Sequence, residues 1–195
     1  MLKELAQNLF LVKEHVGMFK AANNFDIFDP DTGDLLLECR EDNLGMFTKL
    51  LRFSDYKRMT PFDVAIRTPD GRQVVRVTRG VSIFLSKVQV YDENDDYIGG
   101  FKQKFFSIGG AFKVLDENDE MVCELKGKWT GWEFKFVKAG REFAQVTKKW
   151  AGLGKEMFTS ADNYILEIAD DVPPGNPIRQ LIMAAVMSID MVLKE

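Results

Sequence analysis

Five clusters of turn-forming residues punctuate this chain: Asp29-Pro30-Asp31-Thr32-Gly33, Pro69-Asp70-Gly71, Asp92-Glu93-Asn94-Asp95-Asp96, Asp116-Glu117-Asn118-Asp119 and Lys138-Ala139-Gly140. Asp and Asn bond their own backbone, Pro presets φ and Gly supplies positive φ, so each cluster reads as a hairpin tip. The flanking runs alternate with period two: Phe62, Val64 and Ile66 against Asp63, Ala65 and Arg67; Trp132, Phe134 and Phe136 against Glu133, Lys135 and Val137; Tyr164, Leu166 and Ile168 against Ile165, Glu167 and Ala169. Alternation puts successive side chains on opposite faces of a strand, one of them facing a core. The same design repeats where Val90-Tyr91-Asp92-Glu93-Asn94-Asp95 is echoed by Val114-Leu115-Asp116-Glu117-Asn118-Asp119. Successive hairpins without intervening helices give an antiparallel meander, and a sheet of many such strands hides its edges by closing into a barrel. A barrel has an interior to fill.

The one segment apolar on every side at helical spacing is 177–193. Asn176 is a good N-cap, Pro177 suits the first helical position, and Pro173-Pro174-Gly175 breaks what precedes. Two destinations suit such a helix: a bilayer or the interior of the barrel. Crossing a bilayer takes roughly 20 apolar residues. Leu181 to Leu193 is shorter and contains Ser188 and Asp190, and an aspartate near a membrane-helix centre is costly. The expected arrangement is therefore a helix inside the barrel, with Leu181, Ile182, Val186, Ile189 and Leu193 in the core. Minor helical pieces are expected at Leu2–Leu9, Leu44–Phe53 and Gly154–Ala161.

With 195 residues, 46% hydrophobic and 29% charged, the chain is large enough for one domain with a sizeable core, 1–195. A formal charge of −4 argues against general nucleic-acid binding, which needs a field that attracts phosphates. Cys39 and Cys123 lie far apart and form no CxxC pair, so a reducing compartment is the simplest setting. The first residues carry an early acid and no long apolar run, so no secretory signal is read there. The cytosol is the expected location.

No catalytic signature stands out. His15, the one histidine, sits in the strand-like run Val12–Val16 without a companion motif and reads as structural. Gly154-Lys155 is followed by Glu156, and Lys149 stands where a phosphate loop has its first glycine. Asp92-x-Asn94-x-Asp96 and Asp116-x-Asn118-x-Glu120 begin like calcium loops, but Tyr97 and Met121 replace the required glycine, so both read as solvated turns. The segment 49–58 carries four cations, Lys49, Arg52, Lys57 and Arg58, among apolar and aromatic residues. That mixture suits an anionic membrane surface, and equally a short amphipathic helix over a barrel end. Lys102, Lys104 and Lys113, among Phe101, Phe105, Phe106 and Phe112, are a weaker second group of the same kind.

The C-terminal third carries a resemblance. The run from Val146-Thr147-Lys148-Lys149-Trp150 through Gly152, Glu156-Met157-Phe158-Thr159-Ser160-Ala161-Asp162-Asn163-Tyr164, with a terminal helix containing Ile189-Asp190, resembles the phospholipid scramblase family. Phe84-Leu85-Ser86-Lys87 and Lys126-Gly127-Lys128-Trp129-Thr130-Gly131-Trp132 look like that family and its LURP-one-related cousins, so the likeness covers nearly the whole chain. It implies a tubby C-terminal-like fold, a closed antiparallel β-barrel around a hydrophobic C-terminal α-helix; the strand number comes from the resemblance alone. It also implies calcium-stimulated, energy-independent phospholipid movement between leaflets, although members are described as lipid-binding and regulatory modules too. The family's calcium segment would map here to Asp162 and Asp171. Ser160 replaces its first acid, and Tyr164, Leu166 and Ile168 stand where oxygen ligands are wanted. The proline-rich, cysteine-rich extension of animal members has no counterpart in these residues.

The resulting expectation is a mainly β, non-enzymatic protein, cytoplasmic and peripheral on a membrane, with anionic phospholipid as its partner and no nucleic acid. It binds phospholipid or moves it across the bilayer, with Lys49, Arg52, Lys57 and Arg58 as head-group contacts and no cofactor beyond calcium at Asp162 and Asp171. The alternative is a soluble tubby-like lipid- or protein-binding module that never scrambles lipid.

Overall fold

The computed structural model describes residues 2–14, 24–41, 60–81, 87–103, 112–128, 133–148 and 163–193, with residues 103, 128 and 189–193 described by backbone alone. Twelve strands form the wall: β1 Leu9–Glu14, β2 Phe25–Phe28, β3 Leu35–Arg40, β4 Phe62–Arg67, β5 Gln73–Arg79, β6 Lys87–Tyr91, β7 Tyr97–Gln103, β8 Phe112–Asp116, β9 Met121–Lys128, β10 Glu133–Lys138, β11 Arg141–Thr147 and β12 Asn163–Ile168. Each pairs antiparallel with its sequence neighbours, and β1 closes the circle against β12 through Leu9↔Glu167, Leu11↔Ile165 and Lys13↔Asn163. All five turn clusters are hairpin tips, joining β2–β3, β4–β5, β6–β7, β8–β9 and β10–β11. Their chemistry is the one the residues dictate. The Asp92 and Asp116 carboxylates each accept backbone N–H bonds from two and four residues further on, at 2.8–3.0 Å.

Alternation sorts the wall as period two requires. Phe62, Val64 and Ile66, Phe134 and Phe136, and Tyr164, Leu166 and Ile168 all point into one continuous core. Outward positions between them include Asp63, Arg67, Lys135 and Glu167, with the smaller or covered Ala65 and Ile165 among them. Where β7 passes between β6 and β8 the backbones come so close that only glycine fits: a Cβ on Gly99, whose φ is +137°, would lie 2.1 Å from the Leu115 carbonyl oxygen.

A wall of this many strands leaves a bore wider than side chains alone fill, and a helix about 10 Å across fits such a lumen. The helix α1, Ile178–Leu193, is that filling. No residue from Ile178 to Ser188 is more than 9% exposed, so three turns are buried on every face. The Asn176 side chain accepts the N–H of Ile178 at 3.0 Å, the N-cap expected of it.

The N-terminus differs from the sequence expectation. The piece expected to be helical over Leu2–Leu9 is a single 3-10 turn, Lys3–Leu5, and Leu9 already belongs to β1. The barrel closes only if this segment pairs with β2 and β12, and that pairing overrides a weak local helical preference. The other two expected pieces, Leu44–Phe53 and Gly154–Ala161, lie outside the described residues, as do His15 and Trp132.

Candidate functional site

The barrel has two unlike ends. The five turn clusters, the approach to β1 and the start of α1 lie at one rim. There the bore is shut by Leu5 and by Arg179, each 1% exposed, the guanidinium of Arg179 being met by five oxygens. It donates to Leu5 O at 2.9 Å, Gln7 O at 2.8 Å, Asn8 Oδ1 at 2.5 Å, Val172 O at 2.7 Å and Pro173 O at 3.1 Å. None of the five is a carboxylate. Asn8 passes the interaction outward, its amide donating to Asp170 Oδ1 at 2.6 Å. Burial pushes the Arg179 pKa down from its ordinary value, yet a guanidinium stays charged and its bonds are charge-assisted. Beside it Gln180 donates to Val74 O at 3.2 Å and Glu93 Oε2 at 2.9 Å, so the first turn of the helix is tied to the N-terminal segment, to the turn after β12 and to the wall.

Of the residues picked out from sequence, Leu181, Ile182 and Val186 are buried in the core; Ile189 and Leu193 fall within α1 in its backbone-only part. Lys49, Arg52, Lys57 and Arg58 fall in the connection between β3 and β4, outside the described residues, and so does Asp162. Asp171 sits in the turn after β12, its side chain 63% exposed and 3.1 Å from Arg141 Nη2. The strand Asn163–Ile168 lies between Asp162 and Asp171, extending about 17 Å at 3.3 Å per residue, with Tyr164, Leu166 and Ile168 turned into the core. Among the described residues no group of three His, Cys, Asp or Glu side chains is placed to hold a metal ion.

A polar cleft of about 200 Å³ lies on the outside of β3–β5, lined by Arg40, Asp63, Ala65, Arg67, Gln73, Arg76 and Asp95. Its arginines look suited to an anion, but the charges of Arg40 and Arg76 are already matched. Arg76 forks onto Asp63 at 2.9 and 2.7 Å and reaches Asp95 at 3.5 Å; Arg40 lies 2.5 Å from Asp26 and 2.8 Å from Glu38. The Asp63 hydrogen bond accordingly holds the Arg76 pKa above its usual value. Cys39 and Cys123 are fully buried free thiols, and burial pushes both pKa values up, that of Cys123 to about 12. Neither has the exposed, electropositive setting of a reactive cysteine.

Two features escaped the sequence reading. Arg179 was visible only as a cation in the first turn of an otherwise apolar helix, and its acceptors are 171–174 residues away in sequence or just upstream. Lys87 was not singled out: counting outward from the 92–96 tip sets it opposite Phe101, and the bulge between Val90 and Tyr91 moves its partner to Lys102.

A closed antiparallel barrel with a charged wall and a helix filling its bore is the class of protein that fold and site define. The model of the family described as Scramblase matches residues 7–195, and the chain belongs to that family. No solved structure matches it.

Proposed function

We propose that this chain acts peripherally at the surface of an anionic phospholipid membrane, binding lipid head groups from the cytoplasmic side while its C-terminal helix stays inside the barrel. The observation that carries this reading is the burial of α1 on every face from Ile178 to Ser188: the one long apolar segment fills the bore, and none of the helices among the described residues is long and apolar enough to cross a membrane. The wall supports it too. A barrel that spans a bilayer presents an apolar band outward, and lysine or arginine at its lipid face costs roughly 2–4 kcal/mol at mid-depth. Here the outward positions of β4, β5 and β10 include Asp63, Arg67, Arg76, Glu133 and Lys135. Head-group contacts are assigned to Lys49, Arg52, Lys57 and Arg58, each cation adding on the order of 1 kcal/mol near an anionic surface. Family membership motivates the lipid.

The test is cosedimentation of the purified full chain with phosphatidylcholine vesicles with and without phosphatidylserine, in chelator and in calcium, beside a leaflet-exchange assay on the same vesicles. Binding that depends on phosphatidylserine is the expected result. A chain that stays in the supernatant under every condition sinks the reading. Binding without leaflet exchange identifies a lipid-binding module, the reading that the enclosed helix favours over transport.

A further inference from the structure

We propose that the polar cleft on the outside of β3–β5 is a binding site for a small zwitterion, a molecule that carries an ammonium and an oxyanion a few bonds apart; the site is independent of the membrane contacts proposed above. Strand register builds it. On the outer face Arg40 of β3 lies opposite Ala65 of β4, and Ala65 lies opposite Arg76 of β5. Directly opposite residues have Cβ atoms about 5 Å apart, so the two arginines rise about 10 Å from each other with only a methyl group between them. Along β4, Asp63 and Arg67 stand two residues to either side of Ala65, about 6.6 Å away at 3.3 Å per residue. Alanine is depleted in strands. Here its methyl is the floor of a cleft of about 200 Å³ whose walls are all charged or polar. Pockets for drug-sized ligands start at roughly 300 Å³, so this one suits a smaller, polar solute.

The hydrogen bonds already made decide the charge of the ligand. Arg40 is turned toward β2: its Nη1 donates to the carbonyls of Phe25 and Cys39 at 2.7 and 3.1 Å, and its Nη2 to Asp26 and Glu38 at 2.5 and 2.8 Å. Arg76 commits Nε and Nη2 to Asp63, but its Nη1 has only Asp95, at 3.5 Å. Bonds from a guanidinium to an oxyanion run about 2.7–2.9 Å, so that Nη1 has room for a closer oxygen. Asp95 takes Gln73 and Arg76 on Oδ1, at 3.0 and 3.5 Å, which leaves its Oδ2 without a hydrogen bond among the described residues. One donor and one acceptor of opposite charge therefore stand side by side in the cleft. A bare anion placed there meets Asp63 and Asp95, with Asp26 and Glu38 behind Arg40; a bare cation meets Arg40, Arg67 and Arg76. A molecule that carries both signs offers each side a partner.

Phosphoethanolamine is the probe, with inorganic phosphate and ethanolamine as its two halves. Titration into the isotope-labelled full chain, followed by NMR, is expected to move the Ala65 and Arg76 resonances and to show phosphoethanolamine bound about tenfold or more tighter than either half. Ala65→Leu fills the floor without changing charge, and it weakens phosphoethanolamine binding about tenfold or more. Asp63→Asn removes a carboxylate and releases the Arg76 fork, so inorganic phosphate then binds more tightly than phosphoethanolamine. Thermal unfolding shows that each variant is folded. Phosphatidylcholine vesicles with and without phosphatidylethanolamine identify the source of the ligand: recruitment by phosphatidylethanolamine that Ala65→Leu abolishes marks a lipid head group, and phosphoethanolamine binding without recruitment marks a free solute. No binding up to about 20 mM phosphoethanolamine overturns the proposal. So does inorganic phosphate that binds the parent as tightly as phosphoethanolamine does, or an Ala65→Leu variant that binds like the parent.

Discussion

Arg179, in the first turn of the core helix, donates a hydrogen bond of 2.9 Å to the backbone carbonyl of Leu5, joining positions 174 residues apart at the closed rim of the barrel. The bond is one of six, to five neutral oxygens, that exhaust the guanidinium's donors. Removing the side chain strands buried carbonyls that water cannot reach, at about 1–3 kcal/mol for each left unsatisfied. Arg179→Met keeps the apolar stem and loses the fork, and it is expected to lower unfolding free energy by about 3–5 kcal/mol. Urea titration followed by tryptophan fluorescence reads the loss. A change below about 1 kcal/mol would show that the cage contributes little.

Trypsin cleaves after arginine only where the chain can be drawn into its active site. Arg179 is 1% exposed and sits in a helix enclosed by the wall. Limited proteolysis of the folded chain is expected to leave the Arg179–Gln180 bond intact, and to leave it intact when anionic vesicles are added. Mass spectrometry of the fragments decides. Cleavage there only in the presence of vesicles would mean that the helix leaves the bore at a membrane, contrary to the function proposed above.

At Gly99 a methyl group would meet the Leu115 carbonyl oxygen at 2.1 Å, and φ is +137°. Neither the backbone of β8 nor that torsion can yield without disturbing the β7–β8 pairing. Gly99→Ala is expected to cost about 3 kcal/mol or more, whereas Gly33→Ala, with open space around its Cβ, bears only the strain of a positive φ, about 1 kcal/mol. Paired melting curves of the two variants test the difference.

The two buried thiols make stability fall in alkali. Burial raises both folded pKa values above the ordinary value of 9.0, that of Cys123 to about 12, so above pH 9 the unfolded chain loses thiol protons that the folded chain keeps. The folded state binds more protons there, and its stability declines as pH rises from about 9 towards 12, by up to about 1.4 kcal/mol per pH unit for each thiol. Below pH 9 the contribution is complete. Cys39→Ala/Cys123→Ala is expected to flatten that alkaline slope in urea titrations. An unchanged slope would assign it to other groups.

Turn chemistry is local, which is why all five hairpin tips and the inward faces of β4, β10 and β12 could be read from residues alone. The core helix was legible for a related reason: its length, its Asp190 and its all-round apolarity exclude a simple span, and a closed wall needs a filling. What escaped depends on distant partners. Leu9 to Glu14 became a strand because β2 and β12 need it, and Arg179 is satisfied by carbonyls supplied from residues 5–8 and 172–173. The pairing of Lys87 with Lys102 needed the strand register, because the bulge between Val90 and Tyr91 shifts it by one residue. For Lys49, Arg52, Lys57 and Arg58 the sequence remains the only guide.

The closing strand pair joins Leu9 to Glu167, and the segment that fills the bore begins only after it, at Ile178. On the ribosome the wall is therefore made first and its contents last. Until the helix emerges, Phe10, Phe25, Phe134 and Phe136 line a cavity with nothing to pack against. Pairings of such long sequence separation form slowly, and exposed apolar surface invites association while they form. The barrel matures only once residues 178–193 have emerged, and their arrival is the event that turns a sticky, open sheet into a filled barrel.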